Sequence, residues 1–274
     1  MAIHHLNCGS MREIDPGNGL VPARVLNHVL LVETADALVM VDSGFGTIDV
    51  ERGDESLGRT FLERTEPLLE PGETALQQVK KLGYQPEDVR HIVLTHLDLD
   101  HTGGISDFPH AVIHVHKQEL NAALSPGTHP EHSIRYRPMH WAHRPQWSTY
   151  TSQKGNSWFG FDALQLDGVS EDVLMIPLAG HTPGHSAVAV RGGEKWLLHV
   201  GDAIYHHGQV EPGNRWTMPL WEAFEELTEM DRPLRMANQS RLRELLLDHG
   251  DRVEVIAAHD PWAFQRYTEM APAL

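Results

Sequence analysis

The sequence predicts an α/β fold in one domain, and three observations carry that expectation. Apolar, β-branched runs alternate with segments of helical periodicity through the middle of the chain. Histidines and aspartates, the residue types that ligate metals, stand directly after several of those runs. No repeat, low-complexity tract or linker divides the 274 residues, a length within reach of one large α/β sandwich.

Taken in order, residues 25–32 (VLNHVLLV) and 37–42 (ALVMVD) read as strands, with the polar ETAD between them as a hairpin turn. The glycines of SGFGT suit a sharp loop at the strand end. Residues 51–72 are polar with few periodic apolar positions and read as a loop or a loosely packed helix. The spacing of ETALQQVKKLGY predicts a helix over 73–84, with Gly83 placed to end it. Strands follow at 89–95 and 111–116, then a helix over 117–124. Residues 125–160 break the pattern: they are rich in Pro, His and aromatics (Tyr136, Trp141, Trp147, Tyr150, Trp158, Phe159) and show no clear period. Their expected role is an insertion that forms a lid or pocket wall, its tryptophans either meeting a substrate or packing the insertion down. Strands resume at 173–178, 186–190 and 195–200. Helices are expected near 217–230 and over 241–250, a last strand over 253–259, and a terminal helix after it.

Acidic residues number 38 and basic residues 22, a formal charge of −16 that repels phosphate backbones and argues against nucleic acid as a partner. The single cysteine, Cys8, allows no intrachain disulfide and reads as a packed thiol. The first residues hold no long apolar run behind a basic region, so neither a signal peptide nor a membrane span is expected, and the default location is cytoplasmic. A small molecule is the expected partner, with a homodimer left open.

The chemistry concentrates in THLDLDH at 95–101, where His96, Asp98, Asp100 and His101 crowd the end of one apolar run. A strand presents alternate side chains to one side, and the loop after it can turn the next ones inward. Two divalent cations a few ångströms apart need about six to eight donors between them. Without cations Asp98 and Asp100 would repel each other. The glycines of HTGG at 101–104 are expected to let the backbone bend tightly beside the site. Three later positions repeat the theme: AGHTPGHS after VLMIPL, Asp202 after WLLHV, and His259 after VEVIAA. Carboxyl ends of strands are where α/β folds tend to place binding groups.

These motifs resemble the metallo-β-lactamase superfamily, whose pattern is H-x-H-x-D-H, then a His in a G-H-T/S-P-G loop, then an Asp, then a His. The resemblance runs from about Val25 to His259. It implies a four-layer αββα sandwich with two divalent metal ions at one edge of the two sheets, zinc foremost. Carried over by position, His96, Asp98 and His181 would hold the first ion, Asp100, His101 and His259 the second, and Asp202 would bridge both. His185 would orient its loop or a group behind the ligands. Asp98 departs from the pattern, which has histidine there. It is open whether Asp98 binds through oxygen, leaves the first site weak or empty, or shifts preference toward manganese or iron.

The resemblance implies a hydrolase in which a hydroxide bridging the two ions attacks an ester-type carbonyl, with Asp100 relaying a proton. Tyr205, three residues after Asp202, matches a spacing found in the acyl-homoserine lactone lactonases of the superfamily, where a tyrosine meets the substrate carbonyl or leaving group. The alternative for Tyr205 is a core aromatic whose hydroxyl finds a partner. A lactone is the best single substrate expectation. A glyoxalase II-like thioesterase is the rival; such enzymes carry a basic patch near the C-terminus, and HDPWAFQRYTEMAPAL offers only Arg266. A β-lactamase has no positive feature. A metal-bound redox or binding protein on the same fold is a third reading, because oxygen-reducing members carry an acidic residue at the same motif position; they also carry a flavin domain, for which this chain is too short. The other histidines, His206 and His207 beside Asp202 among them, are expected to be structural or exposed.

Overall fold

A computed structural model describes residues 1–17, 20–125, 132–152, 157–213 and 215–269. Period-two patterning builds its first sheet. Strands β1 (Ile3–Ile14), β2 (Ala23–Glu33), β3 (Leu38–Val41), β4 (Val89–Val93), β5 (Val112–His116) and β6 (Gln146–Tyr150) lie side by side in chain order. The first three pair antiparallel and the rest parallel. Val29, Leu31 and Met40 enter one hydrophobic cluster, while their neighbours Leu30, Val32, Val39 and Val41 enter another, as alternation along a pleated strand requires.

Strands β7 (Ser157–Trp158) and β8 (Phe161–Asp162) form a small hairpin. The second sheet contains β9 (Leu164–Gln165), β10 (Val173–Pro177), β11 (Ser186–Gly192), β12 (Lys195–His199) and β13 (Val253–Ile256), ordered β13-β12-β11-β10-β9. Val188 and Val190 of β11 meet the first sheet's inner face, and the smaller Ala187 and Ala189 face outward.

Helices cover both outer faces. Against the first sheet lie α3 (Ala75–Lys81) and α5 (Lys117–Leu124), through Val79 and Leu120. Thr74 caps α3 by accepting from the Gln77 amide, and Gly83, at φ +90°, ends the turn behind it. Against the second sheet lies α8 (Arg232–His249), through Leu242 and Leu245, capped by the Asp231 side chain. The layers are therefore helix, sheet, sheet, helix, the four-layer sandwich expected. The remaining helices are α1 (Thr47–Ser56), α2 (Arg59–Thr65), α4 (Leu99–Thr102), α6 (His132–Arg135), α7 (Pro219–Thr228) and α9 (Pro261–Glu269). Among the described residues, no helix is long and apolar enough to cross a membrane.

The helical alternative holds for residues 51–72, whereas residues 125–160 differ in part from expectation. Residues 51–72 hold most of α1 and all of α2, whose Phe61 and Leu62 pack on a cluster around Phe45 and Leu57. The 125–160 segment supplies β6, an edge strand of the first sheet, so it is only partly an insertion. Trp141 and Trp147 pack on the first sheet's helical side, and Trp158 joins the cluster under α8. These three aromatics serve packing, while Ile134 and Arg135 of the same segment line a cavity, as a pocket wall would. Residues 126–131 and 153–156 of that stretch lie outside the described residues.

Glu119 of α5 fastens the two sheets at the end where the donor residues gather. It is fully buried; Oε1 accepts from the Leu97 amide (3.0 Å) and the Tyr136 hydroxyl (3.2 Å), and Oε2 from the Gly184 amide (3.0 Å). A Cβ at Gly184 would lie 2.1 Å from the Glu119 nitrogen, so only glycine admits this approach. Removing the carboxylate takes the acceptor from the buried Leu97 and Gly184 amides, each loss costing about 1–3 kcal/mol. Glu119→Ala is expected to lower stability by about 3 kcal/mol or more in urea unfolding, and a loss below about 1 kcal/mol contradicts the fastening role.

Candidate metal centre

Strand direction brings the donors together. β10 and β12 each run antiparallel to β11, and β13 runs parallel to β12, so β10, β12 and β13 share one direction. Their carboxyl ends lead to His181, Asp202 and His259. The end of β4 in the other sheet leads to His96–His101. The Ser186 amide donates to the Thr95 carbonyl at 2.8 Å, joining the sheets at this edge.

All seven expected residues meet there, in overlapping groups: His96, Asp98 and His181; Asp100, His101 and His259; and His96, His101 and Asp202. Asp202 stands between the first two. Its Oδ2 lies 3.7 Å from Nε2 of both His96 and His181; its Oδ1 lies 3.4 Å from Nε2 of His101 and 3.3 Å from that of His259. Asp98 Oδ2 lies 3.0 Å from His181 Nε2, and Asp100 Oδ2 lies 3.5 Å from His259 Nε2.

Three of the imidazoles are held from behind. Nδ1 of His96 meets Thr95 Oγ1 at 2.9 Å, that of His101 meets Asp42 Oδ2 at 2.9 Å, and that of His259 donates to the Leu26 carbonyl at 2.9 Å. The nitrogen facing inward is Nε2. His96 Nε2, His101 Nε2, Asp98 Oδ1 and Asp202 Oδ1 are buried with no hydrogen-bond partner in the protein. Buried polar atoms without partners are costly, and here most point at common centres. Mixed imidazole and carboxylate donors of this kind fit two divalent cations.

Charge agrees with that fit. Burial opposes ionisation of Asp202 and Asp98, yet both are held well below the carboxylate range, Asp202 by His259, His101 and His96, and Asp98 by Arg135 and His96. Burial likewise opposes charge on His101 and His259, but Asp202 and Asp100 push both upward. The field at this edge attracts positive charge. Burial keeps His185 well below its usual value. Its Nδ1 donates to the Leu178 carbonyl at 3.2 Å, and its Nε2 accepts from the Asp202 amide at 3.1 Å. His185 thus stands behind Asp202 and orients it.

The family model for the metallo-beta-lactamase superfamily matches residues 23–259. The chain belongs to that superfamily. A "probable metallo-hydrolase" of Mycobacterium tuberculosis is 42% identical over 266 residues, 96% of this chain and 81% of that protein. An N-acyl homoserine lactonase, AttM, of Azorhizobium caulinodans is 43% identical over 204 residues, 73% of this chain and 69% of that protein. Among solved structures, an N-acyl homoserine lactone hydrolase with the product N-hexanoyl-L-homoserine at its catalytic metal centre superposes with a TM-score of 0.67 at 20% identity, covering 96% and 95% of the two chains. The chain is accordingly a metal-dependent hydrolase of the metallo-β-lactamase superfamily, and aspartate at position 98 marks its departure from the H-x-H-x-D-H pattern.

Asp98, Asp100, His181, Asp202 and His259 form the floor of a cavity of about 440 Å³. Its walls are mainly apolar, with Met11 and Ile14 of β1, Phe61 of α2, and Trp221, Phe224 and Leu227 of α7, and they also include Arg12, Glu63 and Arg64. Tyr205 also lines it. The ring is buried, stacked on Trp221 (centroids 5.2 Å apart) and on His259 (5.6 Å), and its hydroxyl lies 3.3 Å from Thr228 Oγ1.

The glycines of HTGG have a different reason from the one expected. Gly103 has an ordinary φ of −55°, but a Cβ there would lie 1.9 Å from Asp49 Oδ2. Close approach, not chain reversal, requires glycine. Asp49 also accepts from His140 Nε2 (2.9 Å), whose Nδ1 meets Thr102 Oγ1 (2.9 Å), so a buried pair braces the motif from below.

Sequence reasoning missed Asp42. Its Oδ1 accepts from the Thr95 amide (2.7 Å), and its Oδ2 accepts from Thr95 Oγ1 (2.9 Å) and faces His101 Nδ1. Burial opposes its charge, but His101 holds the carboxyl down at about 2. Asp42 ends the run ALVMVD, the same apolar-run-then-carboxylate signal read elsewhere in the chain. Partners behind metal-bound histidines typically contribute about 10–100-fold in metal affinity. Asp42→Ala is expected to weaken ion binding by about that factor in chelator competition; unchanged affinity sinks the role given to Asp42.

Proposed function

We propose that this chain hydrolyses an ester-type bond, with a lactone as substrate. The observation that carries the reading is the position of two donor groups, linked by Asp202, on the floor of an apolar cavity. The floor takes the polar acyl group, and the walls formed by β1, α2 and α7 take an apolar substituent. His96, Asp98 and His181 would hold one ion, Asp100, His101 and His259 the other, with Asp202 between them. Zinc is the ion proposed, from the mixed imidazole–carboxylate donors. Such a pair, when bound, lowers the pKa of water and polarises the acyl carbonyl.

Hydrolysis adds water across the acyl C–O bond of the ring and leaves a hydroxy acid. Asp100 reaches into the cavity and accepts the proton lost by the attacking water; that proton passes to the departing alkoxide oxygen. The Tyr205 hydroxyl, on the wall beside His259, donates to the carbonyl or leaving oxygen. Packing against Trp221 and His259 holds its ring in one orientation. The likeness to N-acyl homoserine lactonases supports this substrate class over thioesters. In the described part of the C-terminal segment, Arg266 is the only basic residue, which disfavours an anionic thiol carrier as substrate.

The test is turnover of metal-loaded protein on homoserine lactones of short and long acyl chain, beside a thioester and a β-lactam. Lactone opening, lost with a chelator and restored by added zinc, is expected. Selective thioester cleavage or inertness to every lactone defeats the proposal. Tyr205→Phe should lower kcat by about tenfold while leaving the melting temperature within a few degrees. An unchanged kcat assigns Tyr205 to packing alone.

A further inference from the structure

We propose that Arg135 and Asp98 work as one unit, a buried ion pair that stands in for the neutral histidine of the superfamily pattern. The inference rests on the reading of Asp98 as a ligand of the first ion.

Arg135 ends α6 and is 6% exposed. Its Nε lies 3.4 Å from Asp98 Oδ1. Nη1 donates to the His181 carbonyl at 3.2 Å, and Nη2 to the Thr228 carbonyl at 2.6 Å. The guanidinium thus touches one proposed ligand through its side chain and another through its backbone, and is anchored by the end of α7.

The two Asp98 oxygens are divided between duties. Oδ2 faces the imidazoles, 3.0 Å from His181 Nε2 and 3.6 Å from His96 Nε2. Oδ1 faces Arg135. One oxygen therefore faces the imidazoles, while the other makes an ion pair with the guanidinium at 3.4 Å without a hydrogen bond, an attraction that favours the carboxylate acting as a single-oxygen donor. A lone carboxylate could rotate or chelate through both oxygens.

Charge makes the same point. Histidine ligates as a neutral imidazole, whereas aspartate brings −1 to the first group. Arg135 brings +1 within 3.4 Å, so the pair sums to zero, the value a histidine would give. Nor can either partner be exchanged alone without penalty, because a buried charge whose counter-charge is removed is strongly unfavourable. Asp98→His would leave the guanidinium uncompensated beside a divalent cation. Arg135→Met, which retains the apolar stem, removes that cation and makes room for the histidine to act as in other members.

The experiment is a double-mutant cycle read by metal binding, with ions per chain and chelator-competition affinities measured for the wild type, Asp98→His, Arg135→Met and the double variant. The wild type is expected to hold two ions. Asp98→His should lose affinity for one of them by about tenfold or more, with the other unaffected, and the added Arg135→Met should restore it. Rescue of one variant by the other is not the behaviour of two independent structural contacts. Asp98→His that binds both ions as the wild type does overturns the proposal. So does a double variant no better than Asp98→His, or a wild type that holds only one ion. If Asp98→His does not fold, Asp98→Asn with and without Arg135→Met reads the same coupling with a side chain of equal size. Two ions and the expected rescue in a protein that opens no lactone would sink the substrate reading and leave this one standing.

Discussion

Four imidazoles point at one buried carboxylate, and the rest of the fold can be understood as what keeps Asp202 there. The cost of removing that charge from water is large, and only nearby cations and fixed dipoles offset it. Asp202 follows Gly201, which has φ +52° and whose Cβ would strike His185 and Thr95. The Asp202 amide is held by His185, and His185 in turn by the Leu178 carbonyl at the end of β10. The shared direction of β10, β12 and β13 then decides that His181, Asp202 and His259 emerge on one edge. The position of a single carboxylate thus depends on strand polarity in a sheet whose own core lies well below it.

The surroundings are asymmetric. Below the floor lie polar braces: Asp42 behind His101, Asp49 and His140 beneath the HTGG turn, and Glu119 across the two sheets. Above it the cavity wall is mainly hydrocarbon and aromatic, with Arg12, Glu63, Arg64 and Arg135 among it. Water is scarce beside such walls, so charges on the floor act at a lower effective dielectric than at the protein surface.

Most of the fold was legible in the sequence because the two inner sheet faces and the helical stripes follow simple periods. Val39 and Val41 against Leu38 and Met40 is such a case. The donors were legible for a related reason: each stands just after an apolar run, where a strand must end. The failures have causes too. Strand β1, with buried positions in Leu6, Cys8, Met11 and Ile14, carries so many polar residues between bulges that no alternation shows. β6 is an edge strand, half-buried, with a pattern too weak to separate it from the aromatics around it. Arg135 and Glu119 left no local trace. Each matters through partners at least 17 residues away in the chain, and neither sits at a strand end.

The last donor reaches the site by pairing with the beginning of the chain. His259 Nδ1 is bound to the Leu26 carbonyl, the Ala258 carbonyl accepts from the His28 amide, and Trp262 Nε1 donates to the Val21 carbonyl, contacts between residues more than 230 positions apart at the first and third of these. Contacts of such separation form late, because the loop they close must first lose its freedom. A chain emerging from the ribosome can complete THLDLDH and even the His181 loop while still lacking His259. The second donor group is therefore incomplete until residue 259 is made and β13 has docked, and until then Asp98, Asp100 and Asp202 lack their full set of imidazoles.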